Sequence, residues 1–300
     1  MIGSFGAQYV ADSDEVGDAV SEAMEAIIGS MTSNVPLPPP IPTRVNRRIA
    51  RATARLDRIL YRLMDERHGE DRGDMLSLLL SARDEDGAPM GRKQVRDEAM
   101  TAFLAGHETT ANALAWTLYL LAKNPAALAE VEAELDRVLA GRAPAFEDLP
   151  HLPATLRALK ESMRLYPPAF MLTRRAATEV TIGGHSFPKN LLVLINIYGI
   201  HRRADTFPEP NAFKPERFLD ERTLARHAYM PFGGGPRMCI GNHLAWMEGQ
   251  LVLASWLSRA RFSLPDPSFE PELEPLITLR PRAPLTMNVS ARQAALTCGS

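Results

Sequence analysis

Cysteine is the first scarcity. Only Cys239 and Cys298 occur in 300 residues, too few and too far apart for a disulfide framework, and this points to a reducing, cytoplasmic setting. Long apolar runs are also missing. The longest, "LAWTLYLLA" at 114–122, falls short of the roughly 20 residues that a membrane-spanning helix needs. No basic-then-apolar start resembles a signal peptide, so a soluble protein with no membrane partner is expected. Net charge is lacking as well: 34 basic against 36 acidic side chains leave −2. That balance creates no field that would recruit nucleic acid or an anionic membrane. No repeat or low-complexity tail interrupts the chain.

What is present is mostly helical in its first half. Residues 12–31 have an Asp/Ser-rich start and apolar residues at helical spacing. "NVPLPPPIPT" at 34–43 cannot be helical and serves as a connection. Residues 44–68 resume with one apolar stripe among arginines, and a short segment follows at 74–87. One long helix is predicted from about Arg92 to Lys123, closed by Asn124-Pro125. Two amphipathic helices come next, ending at Gly141 and at Pro167-Pro168. From Ala169 to about Ile200 the pattern turns β-like, and residues 203–238 are rich in Pro, Phe and Gly with little periodicity. A last helix, about Asn242 to Ala260, leads into short C-terminal strands. The expected fold is mainly α with a small β region (α+β), with residues 1–300 as a single domain.

One stretch calls for a chemical explanation. "PFGGGPRMCIG", Pro231 to Gly241, holds one of the two cysteines on a glycine-rich loop before the last helix. A lone cysteine is most often a small buried apolar residue. Here glycines let the backbone approach something flat and bulky, since no Cβ intervenes. The positive end of a helix favours thiolate over thiol, and Arg237 adds a cation suited to carboxylate or phosphate. A phosphate loop fits poorly, because the glycine run lacks the Lys-Ser/Thr ending and does not complete the dinucleotide pattern. Zinc would want more ligands than Cys239 and His243, and no base for a cysteine nucleophile is evident locally. A thiolate held to haem iron remains.

"FGGGPRMCIG" matches Phe-x-x-Gly-x-x-x-Cys-x-Gly and resembles the haem loop of the cytochrome P-450 family. The resemblance implies Cys239 as axial ligand of haem b, Arg237 as a haem-propionate partner and Phe232 as a residue beside the sulfur. It also implies that Gly241 leaves room for the porphyrin. "AGHETT", Ala105 to Thr110, sits in the long helix and is similar to the family's Ala/Gly-Gly-x-Asp/Glu-Thr-Thr pattern. A zinc-protease reading fails because Ala111 stands where the second histidine of "HExxH" would be. By resemblance Gly106 opens space for dioxygen, Thr109 steadies it and Glu108 relays protons towards it. That helix is apolar on nearly every face and is expected to be buried.

"ESMR" and "KPERF" complete the set. Glu161 and Arg164 lie three apart on one helical face, and the family joins them to the arginine that is Arg217 here, a structural triad supporting the loop. Arg174 stands where the family places a second propionate-binding arginine. "HRRADTFPEP" departs from the usual His-Arg-Asp-Pro, with Arg203-Ala204 in place of Asp-Pro, so little is carried over from His201. The resemblance runs to the C-terminal end, but roughly the first third of the family pattern has no counterpart, a P-450 fold lacking its N-terminal part. It implies a haem-dependent monooxygenase acting with O2 on a small apolar organic substrate. Electrons would come from a separate ferredoxin- or flavodoxin-type donor, as no flavin or iron–sulfur motif is present. Phe103, Phe170 and Met171 would line the pocket. The alternative is an inactive remnant that acts at most as an interaction surface.

Overall fold

The computed structural model describes residues 13–31, 41–67 and 70–292. Most of the connection read at 34–43, and Cys298, lie outside the described residues. The chain divides into two compact units, residues 1–108 and 109–300.

The first unit is helical. Helix α1 (Ser13–Met31) and helix α2 (Arg44–Glu66) are followed by short α3 (Met75–Ser81). Thr43 starts α2 by accepting from the Asn46 amide at 3.0 Å, a hydroxyl satisfying an otherwise unpaired N–H. The apolar stripe of α2, with Leu56, Ile59, Leu60, Leu63 and Met64, forms one core with Ala19, Val20, Leu76, Val95 and Phe103. Its arginines face outward, two of them reaching Glu22 and Glu25 on α1. Arg67, buried, ties the end of α2 to Asp74, which in turn caps α3 at the Ser77 amide. Phe103, expected to line a pocket, lies in this core instead.

Helix α4 (Arg92–Lys123) has the ends read from the sequence. Its burial differs from the expectation. From Ala113 to Leu121 it is largely buried, with Trp116 and Thr117 fully so. Around the "AGHETT" motif, Ala105 and Gly106 are exposed and residues 107–110 are only half-buried. An apolar composition without a polar face does not say what covers each face. A methyl placed on Gly106 would meet nothing within 4 Å.

The second unit continues with α5 (Pro125–Leu139), α6 (Pro153–Leu165), a single turn α7 (Ile197–Ile200) and α8 (Asn242–Leu257). Helix α5 stops at Ala140, which takes a left-handed φ of 46°, followed by Gly141 at 85°, the usual way to terminate a helix. Buried Glu134 on α5 accepts from the amides of Ala154 and Thr155. It thereby caps α6, whose first residue, Pro153, has no N–H to offer. Among the described residues the strands form four antiparallel pairs. β1 (Met171–Arg175) lies on β4 (Leu192–Asn196), and β2 (Val180–Ile182) on β3 (His185–Phe187). β5 (Ala260–Ser263) lies on β8 (Asn288–Ala291), and β6 (Leu273–Pro275) on β7 (Leu279–Pro281). Between α7 and α8 the chain has only 3-10 turns, at Pro215–Phe218, Glu221–Thr223 and Gly235–Arg237. The core joins Leu135, Leu139, Leu159, Met163, Leu253 and Leu257.

Candidate functional site

The aperiodic segment before α8 is held by one buried network. Arg164 and Glu161, both fully buried, meet through two hydrogen bonds: Nε to Oε2 at 2.7 Å and Nη2 to Oε1 at 2.8 Å. This is the forked geometry that makes arginine–carboxylate pairs strong. Arg164 spends its remaining donors on backbone: Nη1 on the carbonyls of His201 at 2.8 Å and Pro210 at 2.7 Å, Nη2 on that of Ala212 at 3.1 Å. Glu161 Oε1 also accepts from the Lys214 amide at 2.9 Å and from Arg217 Nε at 3.3 Å. Arg217 then turns Nη2 to the Glu209 carbonyl at 2.9 Å. The structure brings the three residues of the sequence-derived triad together. Their partners, mostly loop carbonyls, are what the motif alone did not show.

His201 is the residue that sequence reasoning passed over. It is fully buried, and its Nε2 accepts the Met230 amide at 2.8 Å. Its ring lies 5.2 Å from that of Tyr229, whose hydroxyl donates to the Lys160 carbonyl at 2.9 Å. Burial is the main reason its pKa falls to about 4, with the Arg164 and Arg202 guanidinia pushing the same way. A depressed histidine pKa means that the folded state resists a proton that the unfolded chain accepts. Stability from this residue is therefore whole above pH 6.5 and is lost as pH falls from 6.5 to 4, by about 3 kcal/mol. Urea midpoints at pH 7 and pH 4.5 should differ more for the parent than for His201→Gln. Equal differences would remove His201 as the cause.

The cysteine loop is a tight, outward-facing turn. Gly233 and Gly235 take φ of 74° and 73°, the region that L side chains avoid. The loop is closed by the Gly233 amide on the Met230 carbonyl and the Cys239 amide on the Phe232 carbonyl, each at 3.0 Å. A Cβ on Gly233 would press on Leu172 of β1 at 3.0 Å, so the turn rests against that strand. Gly241 is the N-cap of α8, and Cys239 stands two residues before it. The cysteine is a free, exposed thiol, which rules out the buried-apolar reading. Phe232 packs edge-on against Trp246 at 5.0 Å.

The surroundings are unusual for a protein surface. Met238, Ile240 and Leu244, on the loop and the start of α8, are exposed, Ile240 entirely so; Met171, Leu192 and Leu194 are exposed too, but on the face of the β1–β4 pair opposite Leu172 and Arg174. Arg237 is exposed and makes no hydrogen bond or ion pair among the described residues. Among the described residues the Arg174 guanidinium donates only to the carbonyl of its neighbour Thr173, at 2.8 Å. An outward thiol, bare apolar side chains and two cations without carboxylates fit a flat apolar group that carries acidic arms and takes a sulfur ligand. Haem has that character, and the residues present fit it. Among the described residues no three His, Cys, Asp or Glu side chains group as a metal site.

On the long helix, burial lowers the His107 pKa while Glu108 opposes the shift. Asn112 donates to Thr278 Oγ1 at 3.0 Å. Among the described residues no helix is long and apolar enough to cross a membrane.

A helix-rich chain with small antiparallel pairs, a buried Glu-x-x-Arg network and an exposed thiol on a glycine turn defines a class. The family model for cytochrome P-450 matches residues 4–289, and the chain belongs to that family. Among curated relatives it is 41% identical over 230 residues to cyclooctatin synthase of Streptomyces melanosporofaciens, covering 74% of this chain and 50% of the relative. It is 42% identical over 198 residues to cyclooctat-9-en-7-ol 5-monooxygenase of the same organism, covering 65% and 43%. It is 38% identical over 208 residues to pentalenene oxygenase of Streptomyces avermitilis, covering 68% and 46%. The chain thus spans about half the length of the curated relatives it matches.

Proposed function

We propose that the chain carries the haem-thiolate half of a monooxygenase, with Cys239 as the iron ligand. The observation that carries this reading is the outward Cys239 thiol on a loop whose backbone is fixed at both ends. When bound, haem supplies the redox chemistry that inserts one atom of dioxygen into an organic substrate and reduces the other to water. The residues of this chain hold and tune that group. Cys239 offers sulfur; Arg237 and Arg174 meet the carboxylates; Gly241, where a Cβ would stand 3.9 Å from the Cys239 sulfur, keeps a side chain off the ligand face. Glu161, Arg164 and Arg217 fix the segment that leads to the loop. Gly106, Glu108 and Thr109 are assigned to dioxygen access and proton delivery on the strength of their motif.

The substrate class proposed is a small apolar organic molecule, supported by the substrates in the names of two relatives, cyclooctat-9-en-7-ol 5-monooxygenase and pentalenene oxygenase. A separate ferredoxin- or flavodoxin-type protein is the proposed electron donor, and the cytoplasm the proposed setting. Residues 1–300 are taken as one P-450 domain because the family match spans both units.

Reduction of the haem-loaded chain under carbon monoxide tests the reading. The red-shifted band of a thiolate-ligated haem is the expected result. Folded protein that takes up haem without that band would instead support the inactive-remnant alternative. Thr109→Ala should keep haem yet divert reducing equivalents to hydrogen peroxide. Unchanged coupling of electrons to product would remove Thr109 from proton delivery.

A further inference from the structure

Two anchors flank the cysteine loop in sequence: the Glu161–Arg164 network behind it and α8 after it. One connection between network and loop runs through His201, beside the Tyr229 hydroxyl that ties the same segment to the Lys160 carbonyl of α6. The His201 backbone carbonyl takes Arg164 Nη1 at 2.8 Å, and its imidazole Nε2 takes the Met230 amide at 2.8 Å. Met230 opens the turn, since its carbonyl receives the Gly233 amide, and Phe232 next to that glycine receives the Cys239 amide. His201 itself is anchored by its own amide on the Ile197 carbonyl at 2.9 Å. Hydrogen bonds therefore follow one another from Arg164 to Cys239, with a side chain at only one interior link. The groups around that link are the Tyr229 ring, the Arg164 guanidinium and Arg202, whose guanidinium lies 3.7 Å from the centroid of the Tyr198 ring. The two cations only donate, so neither could take the Met230 amide in place of the imidazole.

We propose that His201 is a positioning residue for the thiolate loop, an assignment that rests on the haem-thiolate reading above. Its neutral Nε2 sets where Met230 begins the turn and hence where the Cys239 sulfur points. An acceptor at that place is required, and an imidazole as such is not.

The test uses the full chain with His201→Leu, which has similar bulk and no acceptor, and His201→Gln, whose amide oxygen reaches about as far as Nε2. In the haem-free protein, amide hydrogen exchange at Met230 and Cys239 is read against Thr155, whose amide is held by Glu134. In the haem-loaded protein the readout is the thiolate fraction of the carbon monoxide complex. Loss of the acceptor should speed Met230 exchange by about tenfold or more relative to Thr155, and lower the thiolate fraction. The Gln variant should restore both. Parent-like Met230 protection in the Leu variant overturns the proposal, as does a folded Gln variant that behaves like Leu. Should the Leu variant not fold, Gln alone decides, and loss of its Met230 protection overturns the proposal. A parent chain without the thiolate band sinks the proposed function only, because the exchange comparison needs no haem.

Discussion

Replacing Glu161 by alanine is expected to be the most damaging single change in the second unit. The carboxylate is fully buried and accepts from Arg164 twice, from the Lys214 amide and from Arg217. Its removal leaves the Arg164 guanidinium charged, buried and facing only carbonyls. Breaking a buried pair from one side typically costs about 3–5 kcal/mol, since the other charge stays uncompensated. Glu161→Gln, which keeps an acceptor of the same shape, should lose less. Arg217→Ala should also lose less, because Arg217 is partly exposed and its bond to Glu161 is the longest of the set. Denaturant midpoints of the three variants check the ranking. A Glu161→Ala protein within about 1 kcal/mol of the parent would mean that the network is not structural. Haem retention should fall in the same order as stability, without a selective effect on turnover.

Cys239→Ser carries the second large effect, and its signature is the reverse. The bond that closes the loop, Cys239 amide to Phe232 carbonyl at 3.0 Å, belongs to the backbone and survives. The side chain is exposed, so the fold loses almost nothing, within roughly 0.5 kcal/mol. The thiolate band should nevertheless disappear completely, because a hydroxyl is a far harder and weaker donor to iron than a thiolate. A serine variant that keeps the band would transfer ligation to another residue.

These contrasting outcomes reflect how much of the molecule could be read in advance. Helix limits at Lys123, Leu139 and Leu165 follow from Asn-Pro, Ala-Gly and Tyr-Pro-Pro endings, because helix termination is a local matter of φ and missing N–H groups. The Glu161–Arg164 pairing follows from spacing along one helix. Its loop partners do not, since carbonyls at 201, 210 and 212 carry no side-chain signature. His201 carries little signal in the sequence, because its neighbours Arg203-Ala204 depart from the family pattern and its contact is a backbone amide 29 residues away. The long helix is buried along one face of its N-terminal part and towards its C-terminal end, and the expected burial fails around the "AGHETT" motif. Hydrophobic composition reports a tendency to be covered and cannot say by what, so Gly106 stands exposed and Phe103 sits in a core.

Arg164 reaches backbone at three points within twelve residues, and Glu161 fastens a fourth at Lys214. A stretch that looks like a loop is thereby clamped at four points between residues 201 and 214. It should resist limited proteolysis and reject inserted residues as a helix would, although nothing in it repeats regularly.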